Sequence, residues 1–143
     1  MSASAPQRVG ERLIELLTAE LERFPEIELA ILYGSRANGT ARADSDLDLA
    51  LARDARRQLP PERLIDLSLA ATRATGVEVQ VRDLACADGL FLKQVLTTGR
   101  LLLCRTPAIR GELIIRMLDF DADMLPNIRM IRRANRERFL AGS

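Results

Sequence analysis

Short apolar runs alternate with amphipathic segments along most of this chain, and this order limits the folds that it can adopt. From Val9 to Phe24, apolar residues recur three and four positions apart, which predicts a helix with one buried stripe that stops at Pro25. The run from Ile27 to Tyr33 predicts a short buried strand that leads into a Gly34-Ser35 turn. We therefore expect a first helix followed directly by a strand.

The same alternation continues through the middle of the chain. Strands are predicted over Asp46 to Leu51, over Val77 to Val81 and, as an edge strand, over Arg100 to Cys104; helices are predicted from Pro60-Pro61 through Ala74 and from Asp88 to Thr97. From Gly111 onward the sequence is typical of helices, with a break near Pro126. These elements predict an α/β (α+β) fold in which helices flank a small sheet.

The length and composition favour one folded unit. A chain of 143 residues, 48% of them hydrophobic, can bury one substantial core but is short for two. We expect a disordered tail over residues 1–8, a core over residues 9–105, and C-terminal helices over residues 106–143 that pack on the core or on a partner. Five arginines in the last segment form either a solvated helix face or a partner surface: Arg129, Arg132, Arg133, Arg136 and Arg138.

Composition also excludes several classes of chemistry and of location. The chain has no histidine, which removes Ser-His-Asp and Cys-His nucleophile systems and histidine-ligated zinc. A formal net charge of +1 and few aromatic residues argue against nucleic acid as a partner. Neither a secretory signal nor an apolar run of about eighteen residues is present, so we expect a cytoplasmic protein without a membrane span.

The sharpest local signal is Gly34-Ser35, ten intervening residues, and then Asp46-Leu47-Asp48. A glycine turn lets main-chain N–H groups approach phosphate oxygens, and the serine hydroxyl adds a donor. Two aspartates separated by one residue on a strand project from the same face, where they repel each other unless a cation lies between them. One site can therefore hold a triphosphate and its metal ion.

The segment LYGSRANGTARADSDLDLAL resembles the signature of the DNA polymerase β-like nucleotidyltransferase superfamily. In length and element order the chain is similar to the minimal nucleotidyltransferases of prokaryotes, many of which are antitoxins paired with HEPN-domain ribonucleases. The resemblance implies a nucleotidyltransferase fold with a small mixed β-sheet and a C-terminal helical extension. It assigns Gly34 and Ser35 to binding of a nucleotide triphosphate, and Asp46 and Asp48 to catalysis with one or two Mg²⁺ ions.

The superfamily also leads us to expect a third carboxylate on a later strand, where it helps to activate the attacking hydroxyl. In the matching stretch VEVQVRDL the aligned residue is Gln80, and glutamine is neither a base nor an anion at neutral pH. Glu78 lies on the same strand face and is the candidate replacement. Asp83 is a second candidate, expected to fall beyond the end of the strand.

Three functions follow, in order of preference. The first is Mg²⁺-dependent transfer of AMP from ATP to a hydroxyl, with a tyrosine of a partner HEPN toxin as the acceptor that the resemblance suggests and an antitoxin role as the result. The second is a binding module of the same fold, attenuated by Gln80, which neutralises the toxin by covering it. The third, modification of a small hydroxylated compound such as an antibiotic, is disfavoured because the chain has no room for a second domain.

Overall fold

The structure, a computed structural model, describes residues 5–34 and 46–123. Four helices and four strands are assigned in these ranges. They are α1 (Ala5–Leu21), β1 (Leu29–Tyr33), β2 (Leu47–Ala52), α2 (Pro61–Thr75), β3 (Val79–Asp83), α3 (Gly89–Thr98), β4 (Arg100–Cys104) and α4 (residues 107–123). The predicted break near Pro126 and the five C-terminal arginines lie outside the described residues.

The four strands form one mixed sheet in the order β3-β2-β1-β4. Strand β1 pairs antiparallel with both β2 and β4, and β2 pairs parallel with β3. A parallel pair needs a long crossover connection, which α2 provides between β2 and β3. The prediction of β4 as an edge strand is confirmed, and so is the predicted α/β class with a small mixed sheet.

Alternation along the strands gives each face of the sheet its own core. One face is covered by α1 and α2, and its fully buried leucines include Leu17, Leu47, Leu49, Leu51 and Leu67. The other face is covered by α3 and α4, and its cluster includes Leu29, Ile31, Tyr33, Leu92 and Leu113. Because side chains alternate along β2, Asp48 lies on the face that α3 and α4 cover.

The helix bounds differ from the predicted ones at two places. Helix α1 begins at Ala5, before the predicted Val9, and ends at Leu21, because Arg23 and Phe24 donate their N–H groups three residues back and tighten the last turn. Helix α4 begins at residue 107, earlier than Gly111, with Pro107 in its first turn, where the missing N–H group has no partner to lose.

Helix α2 ends as its sequence predicts. Gly76 follows the helix in the left-handed conformation, with φ of 77°, and its N–H group donates to the carbonyl of Thr72 at 2.8 Å. No atom lies within 4 Å of the position that a Cβ atom would take at Gly76. The glycine is therefore required by its backbone conformation alone.

One arginine on α4 ties together the loops at the end of the sheet remote from Gly34. The guanidinium of Arg116 donates to three main-chain carbonyls, those of Ala55, Ala85 and Ala87, at 2.9, 2.9 and 3.1 Å. The first carbonyl follows β2 and the other two lie between β3 and α3. Arg116 therefore stabilises these loops against α4. In the described ranges, no helix is long and apolar enough to cross a membrane.

Candidate nucleotide and metal site

Gly34 ends β1 directly against the second aspartate of the motif. Its φ is 78°, in the left-handed region that favours glycine. In the antiparallel register, Tyr33 pairs with Asp48, so Gly34 lies one residue beyond that pair. A Cβ atom at Gly34 would lie 2.5 Å from Oδ2 of Asp48. Glycine is therefore needed here twice, for the backbone conformation and for the space beside the carboxylate.

The two aspartates of the motif lie at the start of β2. Asp46 directly precedes the strand and is exposed, whereas Asp48 lies inside it and is partly buried. Burial, and then the negative charge of Asp46, raise the pKa of the Asp48 carboxyl above its ordinary value. The repulsion that the spacing predicts is therefore present in the fold, and a cation between the two carboxylates would relieve it.

Strand β3 places Gln80 beside Asp48. The parallel register pairs these two residues, and their neighbours Leu47, Leu49 and Val79 are buried in the core on the opposite face. Glu78 precedes β3 and is exposed; its carbonyl accepts the N–H of Leu47 at 2.9 Å, which puts it level with the beginning of β2. Gln80 is thus the closer of the two to Asp48 along the sheet.

The expectation for Asp83 was wrong. Asp83 is the last residue of β3 and does not fall beyond it. Its two carboxylate oxygens accept the N–H groups of Leu59, at 2.7 Å, and Ala85, at 2.8 Å. By alternation it also lies on the face opposite to Asp48 and Gln80. Its carboxylate is engaged in holding two loops, so it does not serve as the third carboxylate.

An aromatic and cationic cluster lies on the site face, next to Asp48. The rings of Tyr33 and Phe91 meet edge to face, with centroids 5.2 Å apart, and the guanidinium carbon of Arg82 lies 3.9 Å from the centre of the Phe91 ring. Burial and the charge of Asp48 raise the pKa of Tyr33, and Arg82 opposes this shift. Neither Arg82 nor Phe91 belongs to a motif in the sequence, although the alternation of β3 places Arg82 on the face of Gln80.

The match to a protein family covers the core and includes both parts of the motif. Residues 15–108, most of the chain, match the family described as Polymerase beta, Nucleotidyltransferase. This chain belongs to the polymerase β nucleotidyltransferase family. The matched range begins within α1 and ends just after β4, so it contains the complete sheet. No curated protein matches the sequence significantly.

Solved structures with the same fold come from toxin–antitoxin complexes. A chain of a toxin–antitoxin complex with AMP-PNP superposes with a TM-score of 0.61, at 24% identity over 86% of this chain and 98% of that chain. A chain of a complex between a tri-AMPylated Shewanella oneidensis HEPN toxin and an MNT antitoxin gives 0.55, at 21% identity over 94% and 98%. At these identities the likeness establishes the nucleotidyltransferase fold.

Membership of the nucleotidyltransferase family makes Mg²⁺ the metal to test against these residues. Carboxylate oxygens are the donors that Mg²⁺ prefers, and it is commonly held by one or two carboxylates together with substrate phosphates. Asp46 and Asp48 fit that pattern, because they are two carboxylates one residue apart at the start of β2, where burial and then the charge of Asp46 raise the pKa of Asp48. Over residues 5–34 and 46–123, no three Asp, Glu, Cys or His side chains group as metal ligands. The described part of the protein thus offers two carboxylates.

Ser35, the second residue assigned to the triphosphate, lies outside the described residues, as does the rest of the turn up to Ser45. Its role remains a prediction from the motif. Of the sequence-predicted residues, the fold brings together Gly34 and Asp48. Asp46 precedes Asp48 by two residues, and Glu78 lies just before the neighbouring strand.

Proposed function

We propose that this protein is a Mg²⁺-dependent nucleotidyltransferase that transfers AMP from ATP to a hydroxyl of a partner HEPN-family toxin and thereby acts as its antitoxin. The observation that carries the proposal is the contact of Gly34 with Asp48, which places a turn without a side chain directly beside a paired carboxylate. The nucleotidyltransferase family and the shared fold of chains from toxin–antitoxin complexes support it.

In the proposed reaction, the acceptor hydroxyl loses its proton to solvent, its oxygen forms a bond to the α-phosphorus of ATP, the α–β phosphoanhydride bond breaks, and pyrophosphate leaves. Asp46 and Asp48 would hold the ion, and Gly34 would leave room for phosphate oxygens close to the main chain, with Ser35 as a further donor. Mg²⁺, when bound, neutralises negative charge on the α-phosphate and on the leaving pyrophosphate. A tyrosine of the toxin is the acceptor that we propose.

The setting of this activity is part of the proposal. We propose that the reaction takes place in the cytoplasm, where ATP and Mg²⁺ are available. Residues 9–105 would form the catalytic unit, and α1 extends it back to Ala5, so the expected disordered tail over residues 1–8 is wrong from Ala5 onward. Residues 106–143 would pack on this core or contact the partner.

A second candidate function has one observation in its favour. Gln80 lies beside Asp48 at the position where a third carboxylate is expected, and a site without a base transfers slowly or not at all. The protein would then neutralise the toxin by covering its active surface. It would keep nucleotide binding without needing transfer.

One experiment separates the two candidates. The purified chain is incubated with Mg²⁺, labelled ATP and the product of the neighbouring gene, and the label on protein is measured together with residual ribonuclease activity. We expect label on the partner and loss of its activity, both abolished in the double variant Asp46→Asn/Asp48→Asn. Asp66→Asn, an exposed change on α2, is the matched control and should behave as wild type.

The same experiment can contradict the transferase proposal. If the double aspartate variant still neutralises the partner without any label, the steric candidate replaces it. Absence of both label and neutralisation in the wild type, with the true partner present, refutes both.

A further inference from the structure

The negative charge of the site depends on which residue of β3 lies beside Asp48. In the parallel register, Asp48 pairs with Gln80, and the Cα atoms of paired residues on neighbouring strands lie about 5 Å apart. Both side chains leave the sheet on the face opposite to Leu47, Leu49 and Val79, which are buried under α1 and α2. The residue next to the metal pair is therefore an uncharged amide.

The acidic residues in and next to β3, Asp83 and Glu78, do not provide a third carboxylate beside Asp46 and Asp48. Asp83 lies on the opposite face, with one oxygen bound to the N–H of Leu59 and the other to the N–H of Ala85. Glu78 is exposed before β3 begins. Among residues 5–34 and 46–123, no third carboxylate groups with Asp46 and Asp48. The described protein contributes two negative charges to the site.

With two negative charges supplied by the described residues, the site favours one divalent ion over two. Two divalent ions held side by side repel each other strongly unless anionic ligands bridge or flank both of them. The triphosphate brings oxygens for the ion that it shares with Asp46 and Asp48. A second ion next to Gln80 would have only a neutral amide oxygen from the protein.

We infer that the nucleotide-bound site of this protein holds a single divalent ion, and that Gln80 is the residue that prevents a second. The inference rests on the proposed function, because it presupposes that Asp46 and Asp48 bind an ion together with a nucleotide. Gln80 acts here as a residue that determines the metal content of the site.

The number of bound ions can be counted without any turnover. The full chain is mixed with slightly less than one equivalent of a non-hydrolysable ATP analogue, so that the analogue is bound, and titrated with Mn²⁺, and free Mn²⁺ is measured by electron paramagnetic resonance. The count includes the ion that the triphosphate shares with Asp46 and Asp48, so we expect one ion per bound analogue in wild type. Gln80→Asp should bind two, whereas Gln80→Asn, which stays neutral, should remain at one.

Two further variants test whether the number of bound Mn²⁺ ions depends on Gln80 alone. Asp119→Asn, remote from the motif in the chain, should leave the count at one. Glu78→Gln tests the competing arrangement and should also leave it at one. A count that falls in Glu78→Gln would overturn the inference, because Glu78 would then be a ligand.

The remaining outcomes distinguish this inference from the proposed function. Two ions in wild type would overturn the single-ion inference and leave the proposed transferase intact. An affinity of the Mn²⁺–analogue complex for the protein that is the same in wild type and in Asp46→Asn/Asp48→Asn would overturn the proposed function itself. If Gln80→Asp does not fold, as judged by circular dichroism, Gln80→Glu supplies the same charge, and a count of one in that variant would contradict the role of Gln80.

Discussion

Replacement of Gly34 by alanine tests whether the turn and the carboxylate form one site. The protein contains its own control, because Gly34 and Gly76 have nearly the same φ, 78° and 77°. The left-handed conformation costs a residue with a Cβ atom about 1–2 kcal/mol, so this part of the penalty is common to both positions. What differs is the surroundings of the added methyl group.

At Gly76 no atom lies within 4 Å of the added Cβ, whereas at Gly34 that atom would lie 2.5 Å from Oδ2 of Asp48. This distance is about 1 Å inside ordinary van der Waals contact. The carboxylate must turn away, and an off-rotamer side chain costs about 0.5–1.5 kcal/mol. We therefore expect Gly34→Ala to lower the free energy of unfolding by about 1.5–3.5 kcal/mol, and Gly76→Ala by about 1–2 kcal/mol.

Urea unfolding measures the stability difference, and titration with Mn²⁺ in the presence of an ATP analogue measures the site. Gly34→Ala should weaken binding because it displaces a ligand, while Gly76→Ala should leave binding unchanged. In an Asp48→Ala background the clash is absent, so Gly34→Ala should then cost no more than Gly76→Ala. Equal losses of stability from the two single variants, with metal affinity retained in Gly34→Ala, would refute the reasoning.

Three further expectations concern charge and packing. Because burial and then the charge of Asp46 raise the pKa of Asp48, the ionised carboxylate costs stability at neutral pH, and Asp48→Asn should raise the urea midpoint there. This gain should decrease as the pH falls below the raised pKa and vanish below the ordinary pKa of an aspartate, where the carboxyl is protonated in both states. Tyr33 is the only tyrosine and the chain has no tryptophan, so the phenolate absorbance of Tyr33 can be titrated alone. A bound divalent cation should lower the pKa of Tyr33 by offsetting the charge of Asp48. An unchanged titration curve would mean that the ion binds elsewhere. Arg116→Met removes the donor to three carbonyls and should cost about 1–3 kcal/mol in urea unfolding, whereas Arg110→Met, an exposed change on the same helix, should cost little.

Most of the secondary structure could be predicted from the sequence because its causes are local. The alternation of Asp48 with Leu47 and Leu49 predicted the two faces of β2, and the structure confirms that the leucines are buried on the face opposite to Asp48. Gly76 predicted the end of α2, since a glycine can adopt the left-handed conformation that a helix end requires. The resemblance of the segment around Gly34 and Asp48 to the superfamily signature implied the nucleotidyltransferase fold, and the family match confirms it.

The composition of the site depended on the register between strands that are distant in sequence. Strand β3 carries Gln80 and Asp83 and directly follows Glu78, and the sequence offered each of the three as a neighbour of the aspartate pair. Only the parallel pairing of β3 with β2 puts Gln80 beside Asp48, and only the fold places Asp83 against two main-chain N–H groups at the other end of the strand.

The aromatic and cationic cluster beside the aspartates was likewise predicted only in part from the sequence. The sequence predicted that Tyr33 ends a buried strand, but its contact with Phe91 joins β1 to α3, and the stacking of Arg82 on Phe91 joins β3 to α3. Periodicity reports which face of its own element a side chain occupies. Which residue of another element it meets is decided by the packing of helices on the sheet and by strand register, because these set distances between residues that the chain itself keeps far apart.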